Sequence, residues 1–266
     1  MAFWDTPQLL SGSNATETGG SPKPRLAIGI LHTHTVDLRW AMRWGLVTAQ
    51  LQKKNTSFSF IPSANQPYDT SREMIARIAI DSGAKYLFFL DSDVLIPVNA
   101  PELLMEWSER FNLPVISGLY WAKKPGEPMP AAWFEAKFYE KENRYDFAPM
   151  DLKRMVERAT GKNPIFPVDV CGTGCMMINI EIFRKLQESN PELPFFQWGI
   201  GRYNYCPKCK YKEPLPWMSE DFYFCLRIRK ELNISPHIAT AIKCDHVSTC
   251  VRRAEDGQFE LSVGLV

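Results

Sequence analysis

Short, unbroken apolar runs alternate along this chain with longer stretches whose apolar residues recur every three or four positions. Residues 26–31 (LAIGIL) and 86–90 (YLFFL) read as strands buried on both faces, and residues 57–62 (SFSFIP) alternate in the period of a half-buried strand. Residues 113–117 supply a fourth strand. Between them, residues 37–52 are helix formers, and residues 71–82 set Met74, Ile75, Ile78 and Ala79 along one side of a helix that Gly83 ends. Residues 101–111 open on a proline, which suits a first helical turn. This βαβαβαβ order predicts an α/β domain with a mostly parallel central sheet covered by helices on both faces.

The rhythm breaks after Gly118. Residues 121–150 are rich in proline, aromatic and charged residues, as expected of a lid or an antiparallel excursion rather than another βα unit. Residues 151–159 suit a short helix, 168–180 extended segments around Gly172 and Gly174, and 181–188 a helix. An aromatic, proline-containing loop over 195–217 precedes a last helix at 219–232. At the other end, residues 11–24 (SGSNATETGGSPKP) carry no periodic apolar pattern, so residues 1–24 are expected to be a flexible segment and order to begin at Arg25. No repeat is visible. One domain over residues 25–266 is the simplest organisation, with a first half at 25–120 and a second at 121–266 that carries an insertion at 199–216.

Composition narrows the class. The chain has 266 residues, 45% hydrophobic and 23% charged, which is ordinary for a globular protein with a sizeable core. A formal net charge of +1 supplies no global field for gripping nucleic acid. No apolar run reaches the roughly 18 residues of a membrane span, and residues 1–10 lack the pattern of a secretory signal. Seven cysteines, an odd number, suit a reducing compartment, so a cytoplasmic protein is expected.

The strongest chemical signal is Asp91-Ser92-Asp93, directly after YLFFL. Ligands of open parallel sheets bind beyond the carboxyl ends of the strands, which is where these acids fall. Residues i and i+2 of an extended chain face the same way, and two anions about 4 Å apart in a partly screened site repel by roughly 4 kcal/mol. Such a pair calls for a cation or a shared proton, and Mg²⁺ or Mn²⁺ suits oxygen donors and substrate phosphates. Two strand steps span roughly 6.5 Å, so one acid is expected to ligate and the other to hold a hydroxyl or a metal-bound water.

Ser219-Glu220-Asp221 heads the last helix. Serine is a good N-cap and acids favour the first turn, yet Asp221 also leads the inward stripe of Cys225, Ile228 and Leu232, where a general base at a cleft edge belongs. His246 is a third candidate. Cys206 and Cys209 (CPKC) have half of a zinc site's spacing, with a second pair conceivable from Cys171 and Cys175 or from Cys244 and Cys250. Trp121, Trp133, Phe195, Phe196, Trp198 and Trp217 are aromatics able either to stack on a sugar face or to fill the core.

Taken in order, Asp69-Thr70-Ser71-Arg72, the DxD of YLFFLDSDV, Ile116-Ser117-Gly118-Leu119-Tyr120, Val170 to Met176 (VCGTGCM), Ser219 to Phe224 (SEDFYF) and His246 resemble the GT-A-fold, family 2-like glycosyltransferases that use nucleotide-diphosphate sugars. The resemblance implies a Rossmann-like GT-A fold, with residues 25–120 as the nucleotide-sugar half and 121–266 as the acceptor side. It implies Asp93 as direct metal ligand, Asp91 at the ribose or the metal's water shell, and His246 completing the protein ligands of Mn²⁺ or Mg²⁺. Arg72, Ser92 and the loop of Leu31, His32 and Thr33 would border the donor. Gly118, Tyr120, Trp121, Gly172, Thr173, Gly174 and Trp217 would lie on the sugar and acceptor side. Asp221, with Glu220 beside it, would be the base of an inverting transfer, while a retaining course is open to the same fold.

Two other functions fit parts of the pattern. A nucleotidyltransferase also uses paired acids and a divalent ion, but the chain has no glycine-rich phosphate loop with lysine. A nucleic-acid-binding module would rest on the CPKC zinc-type loop and the tyrosines and lysines of residues 203–212. The acceptor of a transferase is left open between a glycan, a small molecule and a modified nucleic acid.

Overall fold

The computed structural model describes residues 10–11, 23–32, 35–121, 130–139, 144–150, 164–198, 218–253 and 259–265. In chain order the elements are β1 (Leu10–Ser11), β2 (Leu26–His32), α1 (Leu38–Lys53), β3 (Phe58–Ala64), α2 (Tyr68–Asp81), β4 (Tyr86–Asp91), β5 (Val94–Leu95), α3 (Ala100–Arg110) and β6 (Val115–Leu119). There follow β7 (Ala132–Tyr139), β8 (Arg144–Pro149), β9 (Ile165–Pro167), β10 (Val170–Cys171), β11 (Cys175–Asn179), α4 (Glu181–Ser189), α5 (Glu220–Leu232), β12 (His237–Lys243), β13 (Asp245–Arg253) and β14 (Phe259–Leu265).

Eight strands form the central sheet in the order β1-β3-β2-β4-β11-β6-β12-β9. β3, β2, β4, β6 and β12 share one direction, and β1, β11 and β9 oppose it, so the sheet is mostly parallel as the alternation predicts. β11 is the exception inside the sheet: it slots antiparallel between β4 and β6, pairing Cys175 with Leu90 and Met176 with Ser117. Its sequence, CMMIN, is apolar toward both faces, and that pattern is the same for either direction.

Helices cover both faces. Ile75 and Ala79 of α2, Phe183 of α4 and Phe224 of α5 are buried on one side, and Trp40 and Leu51 of α1 with Leu104 of α3 on the other. Asp37 caps α1 by accepting from the Arg39 N–H at 2.8 Å. α2 starts a turn earlier than its apolar stripe suggests, and Gly83 follows its end at φ +71°.

The excursion after β6 is the hairpin β7–β8, which joins β10 in a separate antiparallel sheet. A third sheet, β14-β13-β5, brings the C-terminal hairpin against the two residues that follow the Asp91–Asp93 turn. The β13 and β14 hairpin is missing from the sequence reading. Leu10 and Ser11, expected within the flexible start, add a short antiparallel pair to Phe60 and Ser59 of β3. Among the described residues no helix is long and apolar enough to cross a membrane. The expected helix at 151–159 and the insertion at 199–216 lie outside the described residues.

Candidate active site

β2, β4, β6 and β12 end on the same edge of the central sheet, and a cavity of about 720 Å³ opens there. Its lining includes Leu31, His32, Arg72, Asp91, Ser92, Asp93, Glu220, Asp221 and His246. Nine residues singled out from five separate stretches of sequence therefore meet in one place.

The turn after β4 is held from several sides. Ser92 N–H donates to Leu31 O at 3.0 Å, Asp91 N–H to Gly174 O at 3.1 Å, and Val247 N–H to Asp93 O at 2.7 Å. From α1, Trp40 Nε1 donates to Asp91 O at 3.0 Å. The register of β13 on β5 sets His246 opposite Val94, the residue after Asp93. His246 Nε2 lies 3.5 Å from Asp93 Oδ1.

The tautomer of His246 follows from its other nitrogen. Nδ1 is 2.6 Å from the carbonyl oxygen of Trp121, which only accepts, so Nδ1 carries the proton and donates. In the neutral ring Nε2 then presents a lone pair toward a carboxylate oxygen. Two lone-pair donors face to face repel unless a proton or a cation lies between them. One imidazole nitrogen and one carboxylate oxygen suit Mn²⁺ or Mg²⁺, with substrate phosphates and water completing the shell. The donor set fits such an ion. Among the described residues no group of three or more His, Cys, Asp or Glu is arranged to hold a metal.

Arg72 lines the cavity and is itself held by acids. It is 3% exposed, its Nη2 lies 3.1 Å from both Asp91 carboxylate oxygens, and its Nε donates to Glu220 Oε1 at 3.1 Å. The guanidinium also lies over the Phe89 ring at 5.3 Å. Burial alone would lower its pKa, but Asp91, Glu220 and Asp221 outweigh this and raise it, so the charge is permanent. Arg72 thus ties the strand that carries Asp91 to the helix that carries Asp221. Its Nη1 and the Oε2 of Glu220 are buried without hydrogen-bond partners beside the cavity.

Asp221 lies in the first turn of α5. Burial, then the charge of Glu220, drive its pKa up; Ser219, Arg72 and the Phe222 N–H pull it back, and it settles at about 7. Ser219 Oγ donates to Oδ1, which also accepts from Phe222 N–H at 2.8 Å. A carboxyl poised near neutrality, with fixed donors on one oxygen, has the properties of a general base.

The remaining candidates divide. Gly172 and Gly174 approach the Tyr120 hydroxyl: a Cβ on Gly172 would fall 2.0 Å from Tyr120 Oη and 3.5 Å from Asp221 Oδ2. Gly174 N–H donates to Tyr120 Oη at 3.0 Å, and a Cβ there would fall 3.1 Å from Asp91 Oδ2. The Tyr120 phenol, buried and flanked by Asp91 and Asp221, is raised well above its ordinary pKa and stays protonated. Thr173 is buried, its Oγ1 without a partner. Trp121 contributes its carbonyl to His246. Gly118 is a core residue instead: a Cβ would meet Cys175 Sγ and Ile242 Cγ2 at 2.9 Å, away from the cavity lining. Phe195 and Phe196 are likewise buried, 1% and 2% exposed.

Thr33, Trp217, Cys206 and Cys209 lie outside the described residues. Cys171, Cys175, Cys225 and Cys244 are free and buried, with thiol contacts of Cys171 to Cys225 and of Cys244 to Cys175. The sequence reading missed Asp37, Tyr68 and Val247 of the lining. Tyr68 had a signal, an aromatic directly before Asp69-Thr70-Ser71-Arg72.

No protein-family model matches the chain. No curated protein matches it either. Among solved structures it is similar to A197 from STIV, at 16% identity and a TM-score of 0.47, over 89% of this chain and 93% of that one. It is also similar to GalNAc-T7, solved with UDP, GalNAc and Mn²⁺, at 11% identity and a TM-score of 0.47, over 83% of this chain and 42% of that one.

Proposed function

We propose that this protein is a divalent-metal-dependent glycosyltransferase that moves a sugar from a nucleotide-diphosphate donor to an acceptor hydroxyl. The observation that carries the reading is the meeting, in one cavity at the carboxyl edge of the sheet, of the Asp93–His246 pair with Asp221, whose pKa is about 7. An inverting transfer requires a base and positive charge against the departing diphosphate, and cation ligands serve the second need.

Asp93 and His246 would hold Mn²⁺ or Mg²⁺. When bound, such an ion supplies positive charge against the departing diphosphate. Asp221 takes the proton of the acceptor hydroxyl as that oxygen bonds to the anomeric carbon. The bond from that carbon to the diphosphate oxygen breaks, and the nucleoside diphosphate leaves. Inversion at the sugar follows from attack opposite the leaving group. Arg72, committed to Asp91 and Glu220, keeps the donor side and the base side in register rather than gripping phosphate.

The lining does not favour the nucleic-acid-binding alternative, whose CPKC loop lies outside the described residues. Among the described residues it holds five carboxylates, Asp37, Asp91, Asp93, Glu220 and Asp221, against the single arginine Arg72. Asp37 is paired with Arg39, and Asp91 and Glu220 with Arg72, so this lining offers no basic patch to a polyphosphate chain.

The test is incubation with a panel of nucleotide sugars and Mn²⁺, reading free nucleoside diphosphate. Slow, EDTA-sensitive release from one donor, lost in Asp93→Ala, is expected. Pyrophosphate release from nucleoside triphosphates instead would replace this reading with nucleotidyl transfer.

A further inference from the structure

Helix α1 is apolar on two sides. Trp40, Val47 and Leu51 are buried. Leu38, Met42 and Leu46, four residues apart, are 73%, 66% and 57% exposed, and they are three of the seven large apolar side chains exposed among the described residues. Every exposed residue of the helix from Leu38 to Ala49 is apolar, since Ala41, Gly45 and Ala49 complete the set. A surface helix normally turns polar residues to water, and apolar surface gathered on one face marks an interaction site.

The face has relief. Residues four apart on a helix form rows inclined to its axis. Leu38, Met42 and Leu46 make a raised row, and Ala41, Gly45 and Ala49 make a low row beside it. Gly45 serves nothing within the molecule: its φ is not positive, and a Cβ there would meet nothing within 4 Å. Glycine weakens a helix interior relative to alanine, so this one costs stability without a return inside the fold. It does leave the floor of the low row open to another backbone.

The arginines of the helix are tied back to their own chain. Arg39 Nε and Nη2 donate to Asp37 Oδ1 and Oδ2, both at 2.9 Å. Arg43 Nη1 donates to Ile96 O at 3.0 Å. Two copies can therefore meet on this face without setting free cation against free cation. The same commitments weaken the case for a lipid surface, which draws amphipathic helices through unpaired Lys and Arg.

We infer that two copies of this protein pair through the exposed face of α1, helix against helix. At the roughly 50° crossing of the commonest helix packing, the rows of both helices run parallel, ridge in groove. A two-fold axis along the rows sets the raised row of each copy over the low row of the other, so one patch is complementary to itself. Two faces of this size bury on the order of 800 Å², about half of a standard interface, so the dimer is weak and concentration-dependent.

The test is sedimentation velocity on the full-length protein from about 1 to 200 μM, where a micromolar monomer–dimer equilibrium is expected. Gly45→Leu fills the low row with a better helix former. In dilute solution it should melt no lower than the wild type, while dimer affinity falls at least about tenfold. Met42→Glu should weaken the dimer similarly by placing a charge in the raised row. A protein that stays monomeric throughout, or a dimer that neither variant weakens, would overturn the inference. So would binding of the monomer to phosphatidylglycerol vesicles that Gly45→Leu strengthens, since added apolar area helps a lipid contact and blocks a close helix pair.

Discussion

Arg72 shows how one buried cation decides the geometry of several acids. Fully removed from water, it is stable only because Asp91 and Glu220 both face it. Arg72→Met leaves those carboxylates uncompensated, and unfolding in urea should show a loss of about 3–5 kcal/mol. Adding Glu220→Leu should recover part of that loss, because two uncharged groups of similar bulk replace a broken pair; no recovery in the double variant would mean the ion pair is not the main partner. Asp221 makes the opposite case, a carboxyl placed where its charge is costly. Its folded pKa of about 7 stands above the ordinary 3.8. The native state therefore holds a proton that the unfolded chain has released, and stability declines as pH rises from about 4 to 7. Asp221→Asn removes that cost. Its melting temperature should exceed that of the wild type at pH 8 and match it near pH 4, while turnover falls by at least about 10² with donor binding retained. In the wild type the rate should rise with pH to a plateau, with a midpoint near 7. Equal pH dependence of stability in both proteins would place the proton elsewhere.

At the scale of elements, the Gly172–Gly174 turn between β10 and β11 is the joint on which the site closes. Tyr120 occupies the space a side chain at 172 would need, and its hydroxyl accepts from Gly174. Gly172→Ala must push the tyrosine away, with an expected loss of about 1–3 kcal/mol and a shift of the base side. Tyr120→Phe in that background should recover part of both stability and turnover, since the atom at 2.0 Å is removed and the next contact is 3.0 Å away. A double variant no better than Gly172→Ala would point to backbone strain instead. The sequence carried these glycines and the DxD openly, because a glycine pair and a convergent acid pair are local patterns. It did not carry the Tyr120 contact or the role of Arg72, whose partner Glu220 is 148 positions away. The antiparallel seating of β11 was equally hidden. β12 was missed because HIATAIK is rich in alanine, a weak strand former, and alternates only over its last residues.

Across the whole molecule the alternating first half was readable, since each buried strand and amphipathic helix announces itself over a few residues. The convergence of Asp93 with His246 depends on a sheet built from distant segments. Asp93 hangs from β4 and His246 follows β12, and β11 and β6 lie between those strands in the central sheet. The small β14-β13-β5 sheet folds the late strand back over the DxD turn, and its register delivers the imidazole. An ion held by these two residues, as proposed, would cross-link segments far apart in the sequence, and its effect should be global. Mn²⁺ with a nucleoside diphosphate at about 100 times its dissociation constant should stabilise the fold by about 2.7 kcal/mol, a rise of roughly 5–10 °C in a domain this size. Asp93→Ala and His246→Ala should each lose the metal-dependent part of that rise, whereas Asp221→Asn should keep it. Amide exchange should slow at the β5–β13 pairing when both ligands are present, because opening that pairing separates the two donors. A rise unchanged by EDTA, or retained in both ligand variants, would place the nucleotide away from the end of β4.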